Sequence, residues 1–474
     1  KTIPDLDREA MSRLYFRTAT QLVREYRRGD CSPVEAINAV LARIDDCESQ
    51  LNAWRLVDVR HARSQARASE KRWRRAEPRG ALDGVPVAIK DVTETKIWPT
   101  RNGSLVPERR ALTRVDAIVV ERLKKEGAIL LGKTQTPEFA WLGVTESEFH
   151  GITRNPWNTD WTPGGSSGGS GAAVAAGMTA IATGTDSGGS IRGPASFCGV
   201  VGFKPTFGRV PVWPASPMMG MEHCGPVARC VRDVALAFQA MAGGDSRDGS
   251  AIQQEAPAVM TGLERGAKGL RIGFSPDLGV ARVDDEVRKT VSEARRVFTG
   301  LGAVVSRAKL DLGDARKLSY AICNPMAARI RSRLGQKAAR LSNEVFLSCA
   351  DDGEQMSALE YLEAEAKRTE LRGKMTAFHE KYDLLICPTL ACAPFPVGHA
   401  QPPHWRKRDG EFMAMATPFD LTGQPAISVP CGFSALGGPI GLQIVGACGE
   451  DALVLRAARA FEKAVQLGKV HPPI

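Results

Sequence analysis

The sequence predicts an α/β fold: a single large domain with a mixed, mostly parallel central β-sheet covered by helices on both faces. Three observations carry that expectation. Short runs that are apolar throughout, such as Val85–Ile89 and Leu384–Cys387, alternate with helix-length amphipathic segments, which is the pattern of strands buried on both faces. Hydrophobic residues make up 43% of the 474, enough for a sizeable core and too many for a disordered chain. No segment has the composition of a linker and no internal repeat is present, so residues 1–474 read as one domain.

The elements follow in chain order. Residues 1–80 are expected to be helical: Ser32-Pro33-Val34-Glu35 is a capping box with proline at the first helical position, ahead of the apolar series Ile37, Val40, Leu41 and Ile44. A strand over Val85–Ile89 ends at Lys90. Asp116 is expected to cap a helix running to Glu126, with a strand at Ala128–Leu131 behind it. Further strands are expected at Met178–Thr183, Val200–Phe203, Leu270–Phe274, Leu384–Cys387, Ala426–Pro430 and Ile440–Val445. Helices fit Arg232–Met241, Asp284–Leu301, Ser357–Tyr382 and Glu450–Val465. The region 240–382 reads as variable, its part from about Asp314 to Tyr382 as a helical insertion or cap.

Composition removes several function classes. No apolar run approaches the length of a membrane-spanning helix and no signal peptide is visible; because the chain starts at Lys1, removal of an upstream segment stays open. The eleven cysteines are scattered without a CxxC pair, which fits free thiols in a reducing cytoplasm better than zinc or disulfides. The formal charge of +10 is densest over residues 60–79, where Glu70 and Glu77 interrupt the basic run. A solvated helix face accounts for it better than a phosphate-binding stripe, so neither nucleic acid nor membrane is expected as a partner.

Two motif matches mislead. Gly127-Ala-Ile-Leu-Leu-Gly132-Lys133-Thr134 satisfies the phosphate-loop expression, but its four intervening residues are themselves an apolar strand and cannot cradle a phosphate. Gly165-Ser166-Ser167-Gly168-Gly169 satisfies the nucleophile-elbow expression centred on Ser167. A strand should lead into such an elbow, and the turn-rich Asn158–Pro163 precedes this one instead. None of His223, His379, His399, His404 and His471 has a setting that marks it as the base.

The stretch Gly164–Arg192 carries the chemistry. It holds Ser166, Ser167, Ser170, Ser187 and Ser190 among glycines, no histidine, and an apolar run over Ala172–Ile181 that a flexible linker would lack. It reads as loop, helix, strand, loop, both loops delivering serines to one place. A serine hydroxyl is a weak nucleophile until a base takes its proton, and a lysine kept neutral by burial can be that base. Lys90, at the end of VPVAIK, stands where active-site groups of α/β sheets gather. The competing reading is a strand-end lysine snorkelling to water beside Asp91.

The chain resembles the amidase signature family along most of its length, through GVPVAIKD at 84–91, GAILLGKTQTPEF at 127–139, GITRNPW at 151–157, PGGSSGGSGAAVAAG at 163–177, GTDSGGSIRGPASFCGVVGFKPT at 184–206, and the later PAISVPCGF and GPIGLQIVG. The resemblance implies a catalytic core within 81–210 and a triad of Ser190 as nucleophile, Ser166 on a cis peptide bond as proton relay, and Lys90 as base. It implies an oxyanion hole at the amides of Ser187, Gly188, Gly189 and Ser190, with Gly165, Ser167 and Asp186 in support. For Arg192, ordering of the loop is expected over contact with a substrate anion. No metal and no cofactor are expected.

The implied reaction is hydrolysis of an amide, a carbamate (urethane) or an ester through a serine acyl-enzyme, as in an aryl acylamidase. The expected state is a cytoplasmic monomer or homodimer. Trp98, Trp141, Trp157, Trp213, Met218, Met219 and Met221 are candidates to line an apolar pocket, with loop packing as the alternative. Few charged groups other than Asp186 and Arg192 are expected near Ser190. The other branch to weigh is the glutaminase subunit of a tRNA-dependent amidotransferase. It is disfavoured by Gly193, where that branch suggests glutamine, and by the altered element Thr145-Glu-Ser-Glu-Phe.

Overall fold

A computed structural model describes residues 14–106, 115–279, 282–405 and 411–474. The part of the expected N-terminal helical region over residues 1–13 lies outside them. Among the described residues the strands are, in order, β1 (Trp54–Val57), β2 (Pro86–Lys90), β3 (Ile129–Thr134), the short pair β4 (Glu146–Ser147) and β5 (Gly151–Ile152), β6 (Ile181–Asp186), β7 (Val201–Lys204), β8 (His223–Ala228), β9 (Arg271–Phe274), β10 (Val304–Arg307), β11 (Leu384–Pro388), β12 (Ala426–Phe433) and β13 (Pro439–Gly446). All except β4 and β5 join one 11-stranded sheet in the order β1-β3-β2-β6-β8-β7-β12-β13-β11-β9-β10.

The sheet is mixed, but its parallel share is smaller than the sequence suggested. Only β2 with β3, β2 with β6, β9 with β11 and β9 with β10 run parallel. The other six neighbouring pairs are antiparallel. One of them, β12 with β13, is joined by only the short turn at 434–438, which is possible only between antiparallel neighbours. Both faces are covered, as the apolar runs require. Along β2, Val87 and Ile89 pack into one large cluster that includes Phe203 and Phe238, while Ala88 packs into a second, with Ile37, Val40 and Ala172. Alternation along a pleated strand therefore feeds two cores, and every residue of the strand is apolar until Lys90.

Element boundaries differ where polar residues mask a strand or a cap. Ser32 caps Pro33–Leu51 with a complete capping box. Asp116 caps nothing: the helix Ile118–Lys125 starts after Ala117, and the Asp116 carboxylate instead accepts from the amide of Lys96 at 2.7 Å and pairs with Lys124 at 2.6 Å. The strand expected at Met178–Thr183 lies three residues later, at Ile181–Asp186, beyond a turn with Gly177 at φ 78°. Its end, Thr183-Gly184-Thr185-Asp186, is polar because it enters the candidate active site. Within 240–382, the helices Ala315–Leu334, Glu344–Gln355 and Ala358–Lys381 form the helical part, whereas β9 and β10 belong to the main sheet. All eleven cysteines are free thiols. No helix among the described residues is long and apolar enough to cross a membrane.

Candidate active site

β2 and β6 run parallel with Ala88 opposite Ala182, so both chains deliver their carboxyl ends to one side of the sheet. Lys90 shares the parity of Ala88 and faces the core beneath the helix Gly168–Ala175; the next residue, Asp91, faces the other way. Asp91 pairs there with Arg55 at 3.0 Å and with Lys133 at 3.5 Å, not with Lys90. Lys133, the lysine of the phosphate-loop match, is a fully buried structural cation that also donates to the carbonyl of Thr93 and to Thr100 Oγ1.

Lys90 is fully buried. Its Nζ donates to Ser166 Oγ at 2.7 Å and to Thr185 Oγ1 at 2.9 Å. Burial holds its pKa down to about 7 against the partial opposition of the carboxylates Glu222 and Asp186, so near neutral pH much of it is the uncharged amine. Snorkelling to water is thereby replaced by a desolvated amine on a serine hydroxyl. The Gly165–Ser166 peptide is cis. Ser167 closes the loop from behind, its amide donating to the carbonyl of Ser190 at 3.2 Å and its hydroxyl to Thr185 O at 3.3 Å. Ser170 is tied to Thr134 and to the carbonyl of Thr183. Both are fully buried, and neither lines the pocket into which Ser166, Ser187 and Ser190 open.

The second serine loop hangs on a buried ion cluster. Arg192 uses all five of its N–H donors: on Asp186 Oδ2 at 2.9 Å and Oδ1 at 3.0 Å, Asp420 Oδ2 at 2.7 Å, Gln443 Oε1 at 2.7 Å and the carbonyl of Ala416 at 2.9 Å. It orders the loop and has no donor left for a substrate anion. Arg192 draws the pKa of Asp186 far below the usual carboxylate range, whereas burial beside that second carboxylate pushes Asp420 up. Lys204, also buried, is held at about 8 by desolvation. Removing the guanidinium leaves these buried carboxylates without their hydrogen-bonded counterion. Arg192→Met should therefore cost about 3–5 kcal/mol of stability, read by urea unfolding.

Asp186 also corrects the oxyanion set. Its Oδ1 accepts the amide of Gly189 at 2.5 Å, which takes that donor out of the expected hole. The backbone of Gly189 lies at φ 119°, a region that side-chain-bearing residues avoid, and this turns its N–H inward. Within the described residues, the amides of Ser187, Gly188 and Ser190 donate to no internal acceptor. Thr417 Oγ1 donates to the carbonyl of Gly188 at 3.2 Å and steadies that turn.

The pocket over these serines is lined by Trp213 and Met218 from the loop after β7, by Phe139 and Ala140, and by Ile330 from the helix Ala315–Leu334. The other aromatic and methionine candidates lie elsewhere. Trp98 is buried with its indole N–H on Asp58 at 2.9 Å, the partner a buried indole needs. Trp141 packs edge-on against Phe346, and its neighbours Phe139 and Ala140 reach the pocket instead. Trp157 packs on Phe433 and donates to Cys198 O at 2.8 Å. Met219 is 60% exposed, and Met221 is buried in the core. The pocket is also more charged than expected, since Glu94 and Glu222 line it. Sequence reasoning missed Thr185, Asp420, Phe139 and Ile330. Only Phe139 and Thr185 stand inside recognisable motifs.

Similarity to known proteins runs along almost the whole chain. The amidase family model matches residues 35–455. The chain belongs to the amidase signature family. Over 457 residues it is 35% identical to an acylamidase of Rhodococcus erythropolis, covering 95% of each chain. Over 485 residues it is 34% identical to a glutamyl-tRNA(Gln) amidotransferase subunit from Synechococcus sp. (strain CC9605), covering 95% of this chain and 96% of that one. A bacterial aryl acylamidase of the amidase signature family superposes with a TM-score of 0.88 at 30% identity, over 96% of this chain and 98% of that one. This amidase signature chain is thus a hydrolase of amide C–N bonds.

Proposed function

We propose that this amidase hydrolyses neutral acyl or aryl amides, and with them aryl carbamates and esters, through an acyl-enzyme on Ser190. The observation that carries the reading is the 2.7 Å contact between Ser166 and a buried Lys90 whose pKa is held down to about 7. Ser190 Oγ attacks the carbonyl carbon and passes its proton to Ser166 Oγ, whose own proton moves to Lys90 Nζ. The amides of Ser187, Gly188 and Ser190 take the developing oxyanion; such donors are worth about 3–4 kcal/mol. Collapse breaks the C–N bond as Ser166 protonates the leaving nitrogen and is reprotonated by Lys90. Water then attacks the acyl ester, losing its proton along the same relay, and Ser190 recovers its hydroxyl proton as the acid leaves.

Trp213, Met218, Phe139 and Ile330 support an apolar or aromatic substrate, and Glu94 and Glu222 disfavour one that carries a carboxylate. Trp213 is held by Arg247, whose guanidinium lies 4.8 Å from the ring centroid. Trp213→Ala is expected to raise KM for an anilide by about tenfold with a smaller change in kcat, the scale of one lost apolar contact surface.

The likeness to amidotransferase subunits over nearly the whole chain favours a second reading, a glutaminase working with a partner. A panel of p-nitroanilides, phenyl carbamates, p-nitrophenyl esters and glutamine, given to the isolated chain, separates the two. Turnover of anilides supports the amidase reading. Turnover of glutamine alone would replace it with the second.

A further inference from the structure

The backbone of residues 142–145 runs hard against the Ser166 loop. A side chain on Gly165 would stand 2.6 Å from the carbonyl oxygen of Val144 and 2.7 Å from that of Leu142. At the end of this wall is Thr145, 1% exposed and outside the substrate pocket. Its hydroxyl donates to the carbonyl of Gly164 at 2.8 Å and accepts the amide of Gly168 at 3.1 Å. Those groups stand two residues before and two residues after Ser166. Gly168 opens the helix Gly168–Ala175, where amides lack intrahelical acceptors, and Ser167 makes no side-chain cap. One hydroxyl, with one proton and two lone pairs, thus closes both ends of the loop that carries Ser166. The second side of Thr145 is fixed as well, because its carbonyl accepts from the amide of Thr153 at 3.0 Å.

We infer that Thr145 is a positioning residue for the proton relay: its hydroxyl pins the two ends of the Gly164–Gly168 loop and so holds Ser166 Oγ on Lys90 Nζ without touching substrate. The inference rests on the relay proposed above. A displacement of the relay by about 1 Å is expected to cost on the order of 10²-fold in rate.

The test compares Thr145→Val, which keeps the shape and loses both hydrogen bonds, with Thr145→Ser, which keeps the hydroxyl. Both are assayed on an anilide and on a p-nitrophenyl ester of the same acyl group, with melting temperatures measured alongside. The expected result for Thr145→Val is an anilide kcat lower by about 30–100-fold, KM within about twofold, and a smaller loss on the ester, whose leaving group needs no proton. Thr145→Ser should recover most of the rate. If Thr145→Val does not fold, Thr145→Ala removes the same hydroxyl with less bulk and carries the comparison. An unchanged anilide kcat in the folded Thr145→Val variant, or a Thr145→Ser variant no faster than Thr145→Val, overturns the inference. Ser166→Ala separates the two claims, since full anilide turnover there would sink the relay itself.

Discussion

Ser190→Ala is expected to lower kcat/KM for an anilide by about 10⁴-fold or more, with a melting temperature within about 2 °C of the parent. The loss is this large because, in the proposed mechanism, acyl transfer has no route without the covalent intermediate. What survives comes from the oxyanion amides and from binding. The structural cost is small because the hydroxyl opens into the pocket, while the loop is held by the Asp186–Arg192–Asp420 cluster and by the carbonyl of Ser190 itself. Ser167→Ala, at the serine of the nucleophile-elbow expression, should keep most of the rate, because that hydroxyl is turned away onto the carbonyl of Thr185.

Lys90→Met is the second large effect. Activity should fall by about 10³-fold or more while the protein becomes harder to melt at neutral pH. Lys90 titrates at about 7 in the folded chain, against 10.5 for an ordinary lysine. Below pH 7 it is protonated in both states, and the folded chain bears the full cost of a buried ammonium. Between 7 and 10.5 the unfolded chain holds the proton that the folded chain has lost, so stability rises with pH across that window and the deficit is greatest at and below pH 7. Methionine has no such cost. Its melting temperature should exceed that of the parent by at least about 2 °C at pH 7. In the parent enzyme kcat/KM should climb with pH through about 7, as the relay's base loses its proton. Lys90→Arg should be inactive at every pH, since a guanidinium cannot act as the neutral base.

Much of the fold was legible in the sequence, for physical reasons that can be named. A strand buried on both faces must be apolar, so β2, β3 and β11 announce themselves, and a lysine that ends such a strand announces itself too. β8 did not: His223-Cys-Gly-Pro-Val-Ala carries turn chemistry in its middle, and only its pairing with β6 and β7 makes it a strand. The direction of Lys90, open in the sequence between the core and water, is set by the pleat, which also sends Asp91 to Arg55 and Lys133. Contacts that cross hundreds of residues were beyond reach. Nothing near Asp420 in the chain marks it as the counterion of Arg192, and nothing near Ile330 marks it as a pocket wall. The tryptophans show the limit from the other side: proximity in sequence to β2 did not bring Trp98 to the pocket, because its N–H needed Asp58.

The most direct test of Ser190 as the nucleophile is to find where the acyl group goes. The parent enzyme, mixed with a p-nitrophenyl ester and quenched in acid within the first turnover, can be digested and mapped by mass spectrometry. One acyl group per chain is predicted, on Ser190, and none in Ser190→Ala. An acyl group on Ser166 or Ser167, or full turnover with no covalent intermediate at any time, would contradict that assignment.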